Sequence, residues 1–190
     1  LALVGIYFFK PVILEASKSI KPSWRNELEI TDAIQWLIDN GYTVEFTIIQ
    51  GWWKDTGKLE DMLEANRMLL DRLENRIETK DIFDSKIHGR VIIEKEVEIK
   101  NSTIRGPVVI GEGSKITNSY IGPYTSISAN CVIENSEVEH SIILENSSII
   151  SIETRIEGSL LGKNVTIKKS KGKPRSNRFM VGDNSEIIIF

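Results

Sequence analysis

The stretch Ser114-Lys115-Ile116-Thr117-Asn118-Ser119-Tyr120-Ile121-Gly122-Pro123-Tyr124-Thr125-Ser126-Ile127 decides the fold. Ile116, Ile121 and Ile127 stand five and six residues apart, and a small residue precedes each by two places: Ser114, Ser119 and Thr125. A helix repeats every 3.6 residues and a flat strand every two, so neither yields this spacing. Followed outward, aliphatics recur at 87, 93, 99, 104, 110, 116, 121, 127, 133, 138, 143, 149, 156, 161 and 167. Their partners two places earlier are Ser85, Val91, Val97, Ser102, Val108, Ser114, Ser119, Thr125, Cys131, Ser136, Ser141, Ser147, Thr154, Ser159 and Val165, all small or β-branched. Two inward positions flanking one outward residue describe a short strand, and a large aliphatic with a small partner fits the taper of a narrow triangular coil. Tyr120, between inward Ser119 and Ile121, then faces solvent. Gly111, Gly113, Gly122 and Gly162 fall at corners, where an unusual backbone angle is easiest for glycine.

Three such strands per coil predict about five coils stacked at roughly 4.8 Å, a prism about 24 Å tall. Residues 82 to 169 thus resemble the hexapeptide-repeat, left-handed parallel β-helix. Both open ends of such a prism need covers. The helix predicted over Lys58 to Arg76 is placed to cover the first coil, and Ile187-Ile188-Ile189-Phe190 to return as a strand across the last.

Before the repeat, strand and helix patterns alternate. Leu1 to Phe9 is a continuous apolar run suited to a strand covered on both faces, and Pro11 permits a short helix through Ile13, Leu14 and Ala16. Thr31 or Asp32 can cap a helix with Ile34, Leu37 and Ile38 on its apolar face, stopped by Asn40-Gly41. A strand over Tyr42 to Gln50 follows, then a loop, then the Lys58 to Arg76 helix with Leu59, Met62, Leu63, Leu69, Leu70 and Leu73 along one stripe. The expected division is an α/β remnant with its connecting helix over 1–76 and the β-helix with its tail over 77–190. Opening inside an apolar run with no preceding turn or cap, the chain reads as the later part of a longer protein.

Twenty-four Lys and Arg against twenty-seven Asp and Glu leave a net charge of −3 over 190 residues. That balance argues against a nucleic-acid binder, which needs a basic stripe able to displace many counterions. One cysteine, Cys131, excludes an intramolecular disulfide and gives no zinc spacing, so a reducing, cytoplasmic setting is expected. The Leu1 to Phe9 run is too short to cross a membrane and lacks the basic flank of a signal peptide.

Chemistry is expected in the loop Trp52-Trp53-Lys54-Asp55-Thr56-Gly57, at a strand end leading into a helix, where open α/β sheets place their ligands. Asp55 is a hard oxygen donor suited to Mg²⁺, which takes one or two protein carboxylates and fills its shell with water and phosphate oxygens. Spacing alone equally allows Asp55 to cap the following helix and Trp53 to be core, and by itself favours that plainer reading.

Four ordered motifs shift the weighting. The run Leu1 to Phe9, Asn26-Glu27-Leu28-Glu29-Ile30-Thr31-Asp32, Trp53-Lys54-Asp55-Thr56-Gly57-Lys58 and Leu63-Glu64-Ala65-Asn66 resemble the latter part of a sugar-phosphate nucleotidyltransferase. The closest resemblance is to the long-form glucose-1-phosphate thymidylyltransferases, which carry a β-helix after the catalytic domain, and the tail Lys173 to Arg178 followed by Gly182-Asp183 resembles their ending. The resemblance implies transfer of a nucleoside monophosphate from dTTP to glucose 1-phosphate with release of pyrophosphate, with Mg²⁺ as cofactor. It implies that Asp55 matches the second of two metal-binding aspartates, that Leu3 and Gly5 line the sugar, and that Trp53 walls the same pocket. The glycine-rich nucleotide loop, the first aspartate and the phosphate-binding lysine of that family have no counterpart here, so the chain is expected to hold at most half an active site. A homo-oligomer is expected, with the β-helix serving assembly or regulation.

Other clusters read more plainly. Glu27, Glu29 and Asp32 precede a helix, where acidic groups favour its dipole. His88 and His140 lie at outward positions with no long loop beside them, unlike the general base of a hexapeptide acyltransferase. Lys163, Lys168, Lys169, Lys171, Lys173, Arg175 and Arg178 read as a solvated run. The rival readings are another nucleotide-sugar pyrophosphorylase using UTP, ATP or GTP, a hexapeptide acyltransferase, and a purely structural oligomerisation module.

Overall fold

A computed structural model describes residues 3–51, 53–170, 172, 177–183 and 185–189. Leu1, Ala2, Trp52, Lys171, Lys173 to Ser176, Asn184 and Phe190 lie outside the described residues, as does the side chain of Leu59. Two compact units divide the chain, Leu1–Lys54 and Asp55–Phe190.

The repeat forms a three-sided parallel β-solenoid of about five coils. One face stacks Arg76–Ile77, Val91–Ile93, Val108–Ile110, Thr125–Ile127, Ile142–Ile143 and Leu160–Leu161; the second stacks Ile82–Phe83, Glu98–Lys100, Lys115–Thr117, Val132–Glu134, Ser148–Ile150 and Thr166–Lys168; the third stacks Lys86–His88, Thr103–Arg105, Tyr120–Ile121, Glu137–Glu139 and Ile156–Glu157. Every pairing is parallel, and the aliphatics fall in register, Ile99 on Ile116 on Ile133 on Ile149. With their inward partners they form a continuous core from Val91 to Leu161. The coils begin earlier than the repeat suggests, because Arg76–Ile77 already pairs with Ile92 and Ile93.

The small inward residues do more than fit a taper. On the third face the Ser85 hydroxyl accepts the Ser102 N–H, Ser102 accepts that of Ser119, Ser119 that of Ser136, and Ser136 that of Ile152, at 3.0, 3.1, 3.3 and 3.1 Å. Each of these serines also donates to the carbonyl two residues before it, as Ser119 does to Thr117 at 2.7 Å. A chain turning a tight corner cannot pair every amide within its own strand, and a buried unpaired N–H is expensive. The hydroxyl meets that need, which accounts for the recurrence of serine rather than alanine. Thr154 departs from the expected register: it is exposed, and Ile152 takes the inward place. The seven-residue step from Ile149 to Ile156 leaves one residue too many for the corner, so the chain bulges outward at 153–155.

The corners also differ from expectation. Only Gly113 of the four glycines named above takes a left-handed backbone, at φ +70°; the residue type found most often at the left-handed corners is asparagine, at Asn101, Asn118, Asn130, Asn135, Asn146 and Asn164. Asparagine tolerates this region, and here its amides stack: Asn101 donates to Asn118 at 2.9 Å and Asn118 to Asn135 at 2.6 Å. Gly111 is needed for another reason, since a Cβ there would stand 2.7 Å from the Ala129 nitrogen in the next coil.

Helix α3, Leu59–Leu70, ends earlier than predicted. Beyond it the chain is captured by the solenoid: Arg90 donates to the Asp71 carbonyl at 2.5 Å, and the Val91 N–H donates to Asn75 Oδ1 at 2.6 Å. Nor does α3 cover the first coil. It docks on the side of the prism, where Ser126 donates to Asn66 Oδ1 at 2.6 Å and Asn66 donates to the Tyr124 carbonyl at 3.0 Å. The outward column of that first face is Ile92, Val109, Ser126, Ile142 and Leu160 in register, whereas the other faces present charges such as Glu98, Lys115 and Glu137. An amphipathic helix therefore gains apolar contact on this face alone. Half-buried Leu63 and Asn66 lead to buried Leu70, with Leu73 buried just beyond the helix, leaving Met62 and Leu69 exposed. Ile187, Ile188 and Ile189 are exposed and form no strand, so the predicted cover of the last coil is not seen among the described residues.

In the first unit, α1 (Ile13–Ser19) and α2 (Ile30–Asp39) pack through Ala16, Ala33 and Leu37. The cap of α2 is Glu29, not Thr31 or Asp32, which lie inside the first turn, and Ile38 is exposed where Ala33 is buried. Gly41, at φ +78°, ends the helix as expected. The segments 3–9 and 42–50 are not strands: among the described residues neither pairs with another strand, and a strand exists only with a partner for its amides.

Candidate functional site

In the first unit the Trp53 indole N–H donates to the Val4 carbonyl at 3.3 Å, which joins the loop before α3 to the segment carrying Leu3 and Gly5. Trp53 is 49% exposed, so the plainer reading of it as core fails. Leu3 is exposed, and Gly5 stands at φ +79° with no protein atom within 4 Å of where a Cβ would project. A side chain at Gly5 would be strained by the backbone and would fill open space beside Val4.

Asp55 opens the second unit. The N-cap of α3 is Lys58, without a side-chain cap bond, so Asp55 does not cap this helix. Its carboxylate folds back toward the helix start, with Oδ1 3.5 Å from where a Gly57 Cβ would lie. An exposed carboxylate uncommitted to a cap at the positive end of a helix fits one protein ligand of a hard divalent cation. No group of three or more His, Cys, Asp or Glu among the described residues forms a complete cage.

The remaining candidates are structural. Glu29 accepts from the Ser23 hydroxyl at 2.9 Å and from Arg25 at 2.7 Å, and these bonds hold its carboxyl below the usual range. His88 is exposed; His140 is only half-buried, with its ring edge-on to Tyr124 at 6.3 Å. Lys163 pairs with Glu145 at 3.4 Å and Lys169 with Glu153, so these members of the basic run are paired. Tyr120 is not simply solvated, since the Arg155 guanidinium lies 5.0 Å above its ring. The Asn66, Tyr124 and Ser126 clasp was not foreseen; its trace in the sequence is Ser126, a lone polar residue in an otherwise apolar outward column. No helix among the described residues is long and apolar enough to cross a membrane.

Residues 1–72 match the family described as nucleotidyl transferase, so a nucleotidyltransferase-like segment precedes the β-solenoid. Over 189 residues, all of this chain and 53% of each relative, it is 51% identical to glucose-1-phosphate thymidylyltransferases of Streptomyces griseus and Streptomyces antibioticus. It is 42% identical over 194 residues, 54% of the relative, to a nucleotidyltransferase of low-salt glycan biosynthesis from Haloferax volcanii. The chain spans about half the length of the curated relatives it matches.

Proposed function

We propose that this chain is the C-terminal part of a glucose-1-phosphate thymidylyltransferase, which forms dTDP-glucose and pyrophosphate from dTTP and glucose 1-phosphate. The observation that carries the reading is 51% identity over an alignment that spans the whole chain, the solenoid included, to enzymes of that name. In the reaction a phosphate oxygen of the sugar phosphate attacks the α-phosphorus, the bond from that phosphorus to the β-phosphate bridge breaks, and pyrophosphate leaves with the electron pair. No covalent enzyme intermediate is required, so the protein's contribution is positioning and charge neutralisation. Asp55 would hold Mg²⁺, which when bound offsets the charge on the phosphates. Leu3 and Gly5 line the sugar, and Trp53 fixes the segment that carries them. Assembly into a homo-oligomer in the cytoplasm belongs to the same reading.

The test is pyrophosphate release from dTTP and glucose 1-phosphate, measured on the purified 190-residue chain and on the longer polypeptide that includes the nucleotide-binding half. Background release from the former and turnover from the latter are expected. Turnover by the 190-residue chain would sink the half-site argument, and a longer protein preferring UTP, ATP or GTP would sink the specificity.

A further inference from the structure

We infer that the solenoid sets the position of Asp55: the clasp of Asn66 on Ser126 and Tyr124 makes Asn66 and Ser126 positioning residues for the loop that carries this carboxylate. The inference rests on the function proposed above, and it concerns contacts within the second unit alone.

Asn66 uses both ends of its amide, accepting from the Ser126 hydroxyl at 2.6 Å and donating to the Tyr124 carbonyl at 3.0 Å, and both partners belong to one strand and its preceding corner. Tyr124 is itself fixed, since its hydroxyl donates to Asp71 Oδ1 at 3.1 Å and the Arg67 guanidinium lies 5.8 Å over its ring. The helix is thereby held at its middle and at its C-terminal end. A helix transmits that restraint as a rigid rod; from Asn66 to Leu59 is roughly 10 Å at 1.5 Å per residue. Three residues before Lys58 stands Asp55, whose carboxylate rests over Gly57. Released from the clasp, the helix would retain its apolar stripe but lose the bonds that fix its register on the face. A carboxylate misplaced by about 1 Å costs rate out of proportion to its effect on folding.

Hydrogen–deuterium exchange of the peptide covering 54–62 is compared in the 190-residue chain for the wild type, Asn66→Ala, Ser126→Ala and Ser126→Thr. The same substitutions are assayed for pyrophosphate release in the longer polypeptide across a Mg²⁺ titration. The alanine variants should exchange at least 5-fold faster at 61–62, the first hydrogen-bonded amides of α3, with kcat down about 10-fold, a higher Mg²⁺ concentration for half-maximal rate, and KM for both substrates within about 2-fold. Ser126→Thr, which keeps the hydroxyl, should restore both. Unchanged exchange at 61–62 with solenoid amides still protected would overturn the inference, as would an equal loss in Ser126→Thr. Absence of turnover in the wild-type longer polypeptide would instead sink the proposed function, leaving the exchange comparison to decide this one.

Discussion

Ser119 shows what a single inward position does in this fold. It is buried, donates to Thr117 and accepts the Ser136 N–H from the next coil. Ser119→Ala would strand that amide, so we expect a loss of about 1–3 kcal/mol. Ser119→Leu would add methylenes to a prism that cannot widen without breaking its ladders, at a cost of about 1–3 kcal/mol or more. Tyr120→Leu removes only a ring under Arg155, worth about 0.5–1 kcal/mol. Urea midpoints at constant m-value would rank the three; a larger loss at Tyr120 than at Ser119 would mean that the hydroxyl column is unimportant. Cys131 occupies an equivalent corner, its thiol 3.3 Å from the Leu144 carbonyl, and burial pushes that thiol up. A group that holds its proton more tightly when folded stabilises the fold below its unfolded pKa, about 8.5 for cysteine, and that stability is lost as pH rises through the folded value. Wild-type midpoints should therefore fall above about pH 8.5 relative to Cys131→Ser, and equal pH profiles would refute the buried-thiol argument. The inward aliphatics were legible in the sequence because burial depends on size and apolarity. The hydroxyl bonds were not, since size alone cannot separate serine from alanine.

Among the elements, α3 and the loop before it carry the proposed metal ligand. Existence of the helix followed from its apolar period, but its docking face did not, because that depends on which side of the solenoid is apolar outward. Comparing the three outward columns would have revealed it. The two predicted strands, 3–9 and 42–50, show the converse: apolar runs announce a strand, yet its hydrogen bonds belong to whatever lies beside it. The metal role proposed for Asp55 rests on its motif, and the structure adds only that Asp55 does not cap α3. In the longer polypeptide Asp55→Asn should lower pyrophosphate release by several powers of ten, because the ion neutralises charge most in the transition state. The circular dichroism spectrum should be unchanged, and near wild-type activity would remove Asp55 from the metal site.

At the scale of the whole molecule the two units differ in how they are held. The first has a buried core of Ala16, Ala33 and Leu37, whereas the solenoid core runs unbroken from Val91 to Leu161. Stability in a structure is uneven, and exposed backbone with few buried contacts opens first. Limited chymotrypsin digestion should cut within 3–54, where Phe8, Trp24 and Phe46 are exposed, and leave a resistant fragment spanning the coils. Early cleavage inside residues 91–161 would contradict this ordering. The serine columns have a further consequence. Because each hydroxyl is completed by the coil above it and completes the one below, every coil presents its neighbours with the same interface. Removing residues 130–145 would join Ala129 to Asn146, a corner of the same left-handed type, and bring Ile149 onto Ile116 in place of Ile133. The prism would shorten by one step of about 4.8 Å with its α3 clasp intact. Such a structure behaves as a ruler with fixed graduations: its length changes in whole turns, and whatever its two ends contact is spaced in the same indivisible units.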